Sequence, residues 1–144
     1  MTKIAQVLSN KGSALHTISP KDTVRKAITV MAQHNIGALV VTDADQQYVR
    51  GIISERDYTH KVVLLERSSA STCVEDIMTR DVFTVSPSDH IDQGLKIMTD
   101  HHLRHLPVVE SGKLVGLVSI GDLVKAAMRD QQQLIEQLQQ YISG

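Results

Sequence analysis

The chain repeats itself, and this internal repeat is the feature that most constrains its fold. Ser19-Pro20 and Ser86-Pro87 lie 67 residues apart (87 − 20), and the same offset relates similar residues throughout both halves. The matched pairs are Asp22 and Asp89, Val24 and Ile91, Ala27 and Gly94, Ile28 and Leu95, Met31 and Met98, Leu39 and Leu106, and Val41 and Val108. An ordered run of matches indicates duplication, so the sequence predicts two copies of one folding unit.

The offset later falls to 65 residues (116 − 51), and the change lies in a turn, where a difference in length costs least. Beyond the turn each copy carries the pattern Gly-x-x-Ser-x-x-Asp, at Gly51–Asp57 and at Gly116–Asp122. Each pattern predicts a strand that runs through a glycine, stops at a serine and turns into a helix. These two segments are called the first corner and the second corner below.

Hydrophobic periodicity predicts the same elements in both copies. Apolar residues at i, i+3, i+4 and i+7 predict a helix after each Ser-Pro pair, with Asp22 and Asp89 as the N-caps. The helix after the first corner is predicted to pack through the apolar residues 62–65. The predicted strands are 38–42 and 48–53 in the first copy, and 106–109 and 113–118 in the second.

A short apolar helix is predicted ahead of each copy, at 4–8 and 74–78, with Thr72 and Glu75 as a capping box for the latter. A unit of about 60 residues buries little surface alone, so the two units are predicted to pair their sheets around one shared core. The predicted boundaries are 1–67 for the first unit with its N-terminal short helix, 68–73 for the linker, 74–128 for the second unit and 129–144 for a C-terminal amphipathic helix.

The C-terminal helix has an apolar stripe. Leu134, Leu138 and Tyr141 follow i, i+4, i+7 spacing, and Ile135 and Ile142 widen the stripe. Such a helix could fray in solvent or pack on a partner subunit. The number of apolar residues favours the partner subunit.

Charge and composition exclude several classes of function. The net charge is −1 and aromatic residues make up 3%, which disfavours nucleic-acid binding. Cys73 is the only cysteine, so an internal disulfide is excluded and a reducing compartment is expected. The sequence shows no apolar core of the signal-peptide kind and no apolar run near the ~20 residues of a membrane span. We therefore expect a cytoplasmic protein without nucleic-acid or membrane partners.

The sequence resembles a tandem pair of cystathionine-β-synthase (CBS) domains, the Bateman module, from about Ile4 to Met128. The resemblance rests on Thr17–Pro20, Thr84–Pro87, Arg104–Val109 and the two corners. It implies an α+β fold of two β-α-β-β-α CBS units related by pseudo-two-fold symmetry, each with a small mixed sheet and flanking helices. It also implies a homodimer, adenine-nucleotide binding in two clefts between the units, and a regulatory, non-catalytic role.

The resemblance implies ribose-binding residues at both corners. Asp57 and Asp122 match the aspartate that holds the ribose, and Ser54 and Ser119 match the hydroxyl at the helix start. One fixed carboxylate can accept hydrogen bonds from both ribose hydroxyls. The same Ser-x-x-Asp pattern is also an ordinary helix N-cap, and the two roles are compatible.

Phosphate-binding residues are predicted to differ between the copies. Arg56 could grip a phosphate with its planar guanidinium, which Gly121 cannot supply, and Arg104 and His105 match positions where the family places basic groups. Alternatively, Arg104 is solvated and His105 packs at a strand end. The predicted adenine pocket comprises Thr17, Ile18, Thr84, Val85, Ile36, Gly37, Ala38, Leu103 and Pro107, although strand residues need no ligand. Inequivalent clefts are therefore predicted.

The predicted function is a regulatory module that binds an adenine nucleotide, senses energy or redox state and signals by conformational change. AMP is the expected ligand, with ATP, ADP and NAD(H) as alternatives, and the expected partners are a second copy and an unknown protein. The alternative function is a ligand-free adaptor acting through dimerisation. The sequence contains no recognisable catalytic triad, pair of catalytic carboxylates or P-loop. Neither an enzyme nor a catalytic cofactor is therefore expected. His101, His102 and His105 lack the spacing and further ligands of a metal site, so no metal is expected.

Overall fold

A computed structural model describes residues 1–12 and 15–143. Its helices and strands alternate as the repeat predicts. In chain order they are α1 (Ile4–Lys11), β1 (Thr17–Ile18), α2 (Val24–His34), β2 (Ala38–Thr42), β3 (Val49–Ser54), α3 (Glu55–Tyr58), a π-helix (Thr59–Val63), a 3-10 helix (Val74–Asp76), α4 (Ile91–His101), β4 (His105–Glu110), β5 (Lys113–Ser119) and α5 (Ile120–Ser143). The predicted α+β class is confirmed.

Each copy contains a small mixed sheet. In the first copy β2 lies between β1, which is parallel to it, and β3, which is antiparallel. In the second copy β4 pairs with β5, and Val85 forms a single parallel bridge to Val108, in the place that β1 occupies in the first copy. Helices α2 and α4 end at Asn35 and His102, which both adopt the left-handed conformation and lie 67 residues apart (102 − 35). The duplication therefore extends to the helix C-caps.

The chain divides into two compact units. The first-repeat unit comprises Ala14–Val82 and Ser111–Val115, and the second-repeat unit comprises Met1–Ser13, Phe83–Glu110 and Gly116–Gly144, so the division cuts through β5. Most of the buried apolar residues fall in two clusters, one within each unit.

Helix α1 belongs to the second-repeat unit, whereas the predicted boundaries placed it in the first. Ile4 and Val7 join the core of that unit, and the Ile4 N–H donates to the Asp89 carbonyl at 2.9 Å. The apolar face of α1 is thus covered by the second copy. Helix α5 runs without interruption from Ile120 to Ser143, across the predicted boundary between residues 128 and 129.

The predicted caps differ from the observed ones. Helices α2 and α4 begin after Thr23 and His90, each one residue later than predicted. Asp22 instead accepts a hydrogen bond from the Ser19 N–H at 3.1 Å, because an aspartate that follows a turn can bond the turn's own backbone. The 3-10 helix at 74–76 starts after Cys73 without a side-chain cap, so the predicted capping box there is wrong.

The helix after the first corner is shorter than predicted. Helix α3 lasts four residues and passes into the π-helix, which ends at Val63. Only Val62 of the apolar run is buried, because the chain turns away after the π-helix and leaves residues 63–65 exposed. Among the residues described, none of the helices combines the length and apolar character required to span a bilayer.

Candidate functional site

The first corner, in the first-repeat unit, forms a helix N-cap with a capping box between Ser54 and Asp57. The Ser54 N–H donates to Asp57 Oδ2 at 3.0 Å, and the Asp57 N–H donates back to Ser54 Oγ at 3.2 Å. The Glu55 N–H donates to the Gly37 carbonyl at 3.1 Å, which ties the helix start to the residue before β2. The first corner therefore lies beside the start of the central strand β2.

The second corner has the same geometry in the second-repeat unit. The Ser119 N–H donates to Asp122 Oδ2 at 2.9 Å, and the Asp122 N–H donates to Ser119 Oγ at 3.1 Å. The Ile120 N–H donates to the Arg104 carbonyl at 2.8 Å, which places the second corner beside the start of β4. Both corners therefore act as helix N-caps.

Each corner aspartate also pairs with a lysine that the sequence did not single out. Lys61 Nζ lies 3.0 Å from Asp57 Oδ1 and donates to the Ile77 carbonyl at 2.9 Å. Lys11 Nζ, at the end of α1, lies 2.9 Å from Asp122 Oδ2 and donates to the Leu117 carbonyl at 3.0 Å. Lys61 could have been found from its i, i+4 spacing to Asp57. Lys11 could not, because 111 residues separate it from Asp122.

The two carboxylates differ in their remaining capacity for hydrogen bonds. Asp57 is engaged at both oxygens, since Oδ1 also accepts from Thr79 Oγ1 at 3.5 Å, and its side chain is 12% exposed. The hydrogen bonds that Asp122 receives from the described residues all reach Oδ2, and its side chain is 22% exposed. Oδ1 of Asp122 therefore accepts no hydrogen bond from the described residues.

An open groove of about 590 Å³ reaches the second corner. Its lining residues lie on α1 and α5, both in the second-repeat unit. They are Val7, Asn10, Lys11, Asp122, Lys125, Met128 and Arg129. The lining carries three cationic side chains and one carboxylate, which gives a formal charge of +2 (3 − 1). A concave surface of this size and charge suits a small anionic ligand.

The pKa of Asp122 reflects these contacts. Partial burial of the carboxyl raises its pKa, but hydrogen bonds from Ser119 and Lys11 outweigh burial, and the pKa lies below its ordinary value. Asp122 is therefore ionised at neutral pH and can accept charge-assisted hydrogen bonds.

His105 stands at the start of β4, close enough to Lys11 and Asp122 to respond to their charges. Burial of the imidazole lowers its pKa below the ordinary value of 6.5, the positive charge of Lys11 lowers it further, and Asp122 opposes both. His105 is accordingly neutral at pH 7, so it can offer a phosphate one N–H but no positive charge.

We expect His105→Gln to flatten the pH dependence of stability. The unfolded chain takes up a proton on His105 near pH 6.5, whereas the folded chain resists it, so the wild type loses stability as the pH falls through that range. Glutamine has no such proton. Thermal unfolding at pH 7.5 and 5.5 would show a smaller drop in Tm for this variant than for the wild type. The same drop in both proteins, with His60→Gln as an exposed control, would contradict the assignment.

The other residues predicted to bind phosphate or adenine range from exposed to buried. Arg56 and Arg104 are exposed, and Arg56 belongs to the first corner. Ile18 and Val85 are core residues, and the Val85 backbone is already bonded to Pro107 and Val109 in the strand ladder. The remaining half-buried or exposed members are Thr17, Ile36, Gly37, Thr84 and Leu103, whereas Ala38 and Pro107 are buried.

The groove brings together residues that sequence reasoning missed. Lys125 and Arg129 follow Asp122 along α5 at positions i+3 and i+7, so they share its helix face. That spacing is visible in the sequence. Only the structure shows that these residues and residues of α1 line the same groove. No set of three or more histidine, cysteine or acidic residues able to hold a metal ion occurs within residues 1–12 and 15–143.

Comparison with known proteins gives a consistent picture. The CBS domain family profile matches residues 10–63 and 74–129. The chain is 40% identical over 150 residues to the Arabidopsis thaliana CBS domain-containing protein CBSX3, described as mitochondrial, over 99% of this chain and 73% of that protein. Two inosine-5'-monophosphate dehydrogenases, from Thermoplasma acidophilum and Korarchaeum cryptofilum, also match, but only over 21% of their own length.

Solved structures agree. A CBS-domain protein of Burkholderia ambifaria, described as a signal-transduction protein, superposes with a TM-score of 0.84 at 50% identity, over 90% of this chain and 96% of that chain. A CBS-domain-containing protein of Agrobacterium tumefaciens gives a TM-score of 0.81 at 39% identity, over 88% and 99%. CBS pairs are generally regulatory ligand-binding modules. With two profile matches covering both repeats, the chain belongs to the CBS-domain family and carries a tandem pair of CBS domains.

Proposed function

We propose that this CBS pair is a non-catalytic regulatory module that binds an adenine nucleotide, with AMP as the expected ligand. The proposed site is the second corner together with the groove that reaches it. The proposal rests on one observation. The groove holds three cationic side chains together with the carboxylate of Asp122, whose recorded hydrogen bonds reach only one of its two oxygens.

The carboxylate suits the ribose. Asp122 is ionised, and its Oδ1 is turned to no hydrogen-bond donor among the described residues. Two neighbouring ribose hydroxyls can both donate to one carboxylate, and such charge-assisted bonds contribute roughly 1.5–3 kcal/mol each. Deoxyribose would offer only one of them.

The cationic side chains suit a short phosphate chain. Lys125 and Arg129 line the groove on the same helix as Asp122, and both are exposed. A phosphomonoester carries about −1.5 to −2 charges at neutral pH, which the groove's formal charge of +2 balances. A triphosphate would bring more negative charge than the lining can neutralise, which favours AMP over ATP.

The first corner is the weaker candidate. Both oxygens of Asp57 are engaged by Ser54, Lys61 and Thr79, so a ribose would have to displace an existing partner. We therefore infer that the two corners are inequivalent, with the difference set by the lysine pairs as well as by Arg56 and Gly121. Conformational signalling would follow if AMP prefers one arrangement of the chain.

Thermal shift tests the proposal by comparing several adenine nucleotides. AMP, ADP, ATP and NAD(H) are added separately, with adenosine and inorganic phosphate as controls. A ligand at 100 times its Kd stabilises by about 2.7 kcal/mol, so a binding nucleotide gives a clear rise in Tm. We expect AMP to stabilise more than adenosine or phosphate alone. No shift with any of the nucleotides would favour the ligand-free adaptor instead.

The cellular setting is part of the proposal. A cytoplasmic protein that reports energy or redox state to an unknown protein partner fits the single cysteine and the near-neutral charge. One relative is described as mitochondrial, so fractionation of the source cells is the test of this point.

A further inference from the structure

The first corner continues into a π-helix, whereas the second corner continues as a regular α-helix. Helix α3 passes directly into the π-helix Thr59–Val63. The Leu64 N–H donates to the Thr59 carbonyl at 3.1 Å, which is the five-residue spacing of a π turn. After the second corner, α5 runs on from Ile120 to Ser143. Because π turns are rare and frequently lie at functional sites, the residues that this one positions are candidates for function.

The π-helix carries Lys61, a cation that the second copy lacks at the equivalent position. The offset of 65 residues (126 − 61) pairs Lys61 with Ala126. Ala126 is 2% exposed and belongs to the core of its unit, whereas the side chain of Lys61 is 41% exposed. Burying an ammonium group in place of a methyl group would carry a large desolvation cost. This position therefore serves the corner in the first copy and the core in the second.

The ammonium group of Lys61 is held by two fixed acceptors. Its Nζ lies 3.0 Å from Asp57 Oδ1 and donates to the Ile77 carbonyl at 2.9 Å. Ile77 is 1% exposed and belongs to the core of the first-repeat unit, so its carbonyl has a fixed position. Asp57 is fixed as well, because the Ser54 N–H donates to its other oxygen at 3.0 Å. Lys61 is thus held between the corner and the core.

A surface pair with the same spacing shows how enclosed the Lys61 pair is. Asp22 and Lys26 are also four residues apart, and their charged atoms lie 3.3 Å from each other. Their side chains are 27% and 60% exposed, against 12% and 41% for Asp57 and Lys61. Exposed pairs contribute little because water competes with them, whereas a partly buried pair is costly to break. A ligand that needs Asp57 must therefore displace a firmly held cation.

Lys61 occupies the carboxylate oxygen that a ribose would need. At the second corner, Oδ1 of Asp122 accepts no hydrogen bond from the described residues. At the first corner, the matching Oδ1 of Asp57 faces Lys61 Nζ, and Thr79 Oγ1 is a more distant neighbour at 3.5 Å. The two corners otherwise share the same Ser-x-x-Asp cap. One ammonium group is therefore the main difference between the two carboxylates.

We propose that Lys61 is a specificity-determining residue that keeps the first corner closed to an adenine ribonucleotide. It acts as an internal cation on the oxygen to which the ribose hydroxyls would otherwise donate. A ligand that binds only when this pair is open has its affinity reduced by the small population of the open arrangement. The proposal rests on the ribose-binding role proposed above for the corner carboxylates.

Calorimetric titration of AMP into the full chain tests the role of Lys61. Lys61→Met removes the charge and keeps the length of the side chain, and Lys61→Gln also keeps a donor for the Ile77 carbonyl, which protects the fold. The matched control is Lys26→Met, which removes the lysine of the exposed pair. We expect both Lys61 variants to bind AMP at the first corner at least tenfold more tightly. Each should then take up one more AMP per chain than the wild type and the control.

The outcomes separate this proposal from the nucleotide-binding function. An unchanged number of AMP molecules in Lys61 variants that unfold at the wild-type temperature would overturn the role of Lys61, even if the wild type binds one AMP. A wild type that binds none, beside variants that bind one, would support the role of Lys61 and contradict binding at the second corner. Adding Asp57→Asn to Lys61→Met should abolish the additional AMP. If that AMP remained, it would be bound elsewhere and the proposal would be wrong.

Discussion

Replacing Asp122 with asparagine is expected to weaken AMP binding by about tenfold or more, whereas the same change at Asp57 leaves the affinity unaltered. Tenfold corresponds to about 1.4 kcal/mol, close to the lower end of a single charge-assisted hydrogen bond. Asparagine keeps an oxygen that can accept from the Ser119 N–H, so the helix cap survives. Only the charge that the ribose hydroxyls and Lys11 require is removed.

The Asp57→Asn variant is the matched control for this experiment. It makes the same chemical change at the equivalent corner, where Ser54, Lys61 and Thr79 already engage both carboxylate oxygens. Isothermal titration of AMP into both variants gives the affinities, and thermal unfolding shows whether each variant is folded. Equal losses of affinity in the two variants would remove the distinction between the corners. An unchanged affinity in Asp122→Asn would reduce its carboxylate to a cap.

A methyl group at Gly51 is expected to destabilise the fold by about 1–3 kcal/mol, the range typical of overpacking. A Cβ there would lie 2.8 Å from Met78 Sδ and 2.8 Å from the carbonyl oxygen of Thr79. Thr79 and Ile52 exchange two backbone hydrogen bonds, at 3.0 and 2.9 Å, which hold that carbonyl in place. The backbone must therefore shift for alanine to fit.

Gly116→Ala is the natural comparison, because Gly116 is the repeat equivalent of Gly51. The atoms nearest to its added Cβ all belong to the side chain of Leu8, the closest at 2.6 Å. Leu8 is half-buried and can change rotamer, so the loss of stability should be less than half of that at Gly51. Urea unfolding of both variants measures the difference. A larger loss for Gly116→Ala would show that the side chain of Leu8 is held as firmly as the backbone of Thr79.

The duplication was the most reliable guide to the fold. Residues matched by the 67-residue offset, such as Met31 and Met98 or Leu39 and Leu106, are buried in equivalent places. This succeeded because hydrophobic periodicity reports which face of an element is covered. The corners were also predictable, since a Ser-x-x-Asp cap is formed by residues three positions apart.

Contacts between distant parts of the chain could not be predicted in the same way. The apolar residues of α1 indicated a buried face, but nothing local specified that the second copy would cover it. The pair between Lys11 and Asp122 depends on that packing, and the groove depends on the pair. The predicted N-cap residues of α2 and α4 were wrong for a different reason. The carboxylates of Asp22 and Asp89 each accept a hydrogen bond from the N–H of the serine three residues earlier, which competes locally with capping.

The stoichiometry of AMP binding tests the central proposal most directly. Calorimetric titration of AMP into the purified full chain is predicted to give one AMP per chain, because one corner carboxylate is open and the other is engaged. In the Asp122→Asn variant the same titration should show an affinity for AMP that is about tenfold lower or more. Two equivalent AMP molecules per chain would contradict the inequivalence of the corners. No heat with AMP, ADP, ATP or NAD(H) would contradict nucleotide binding itself.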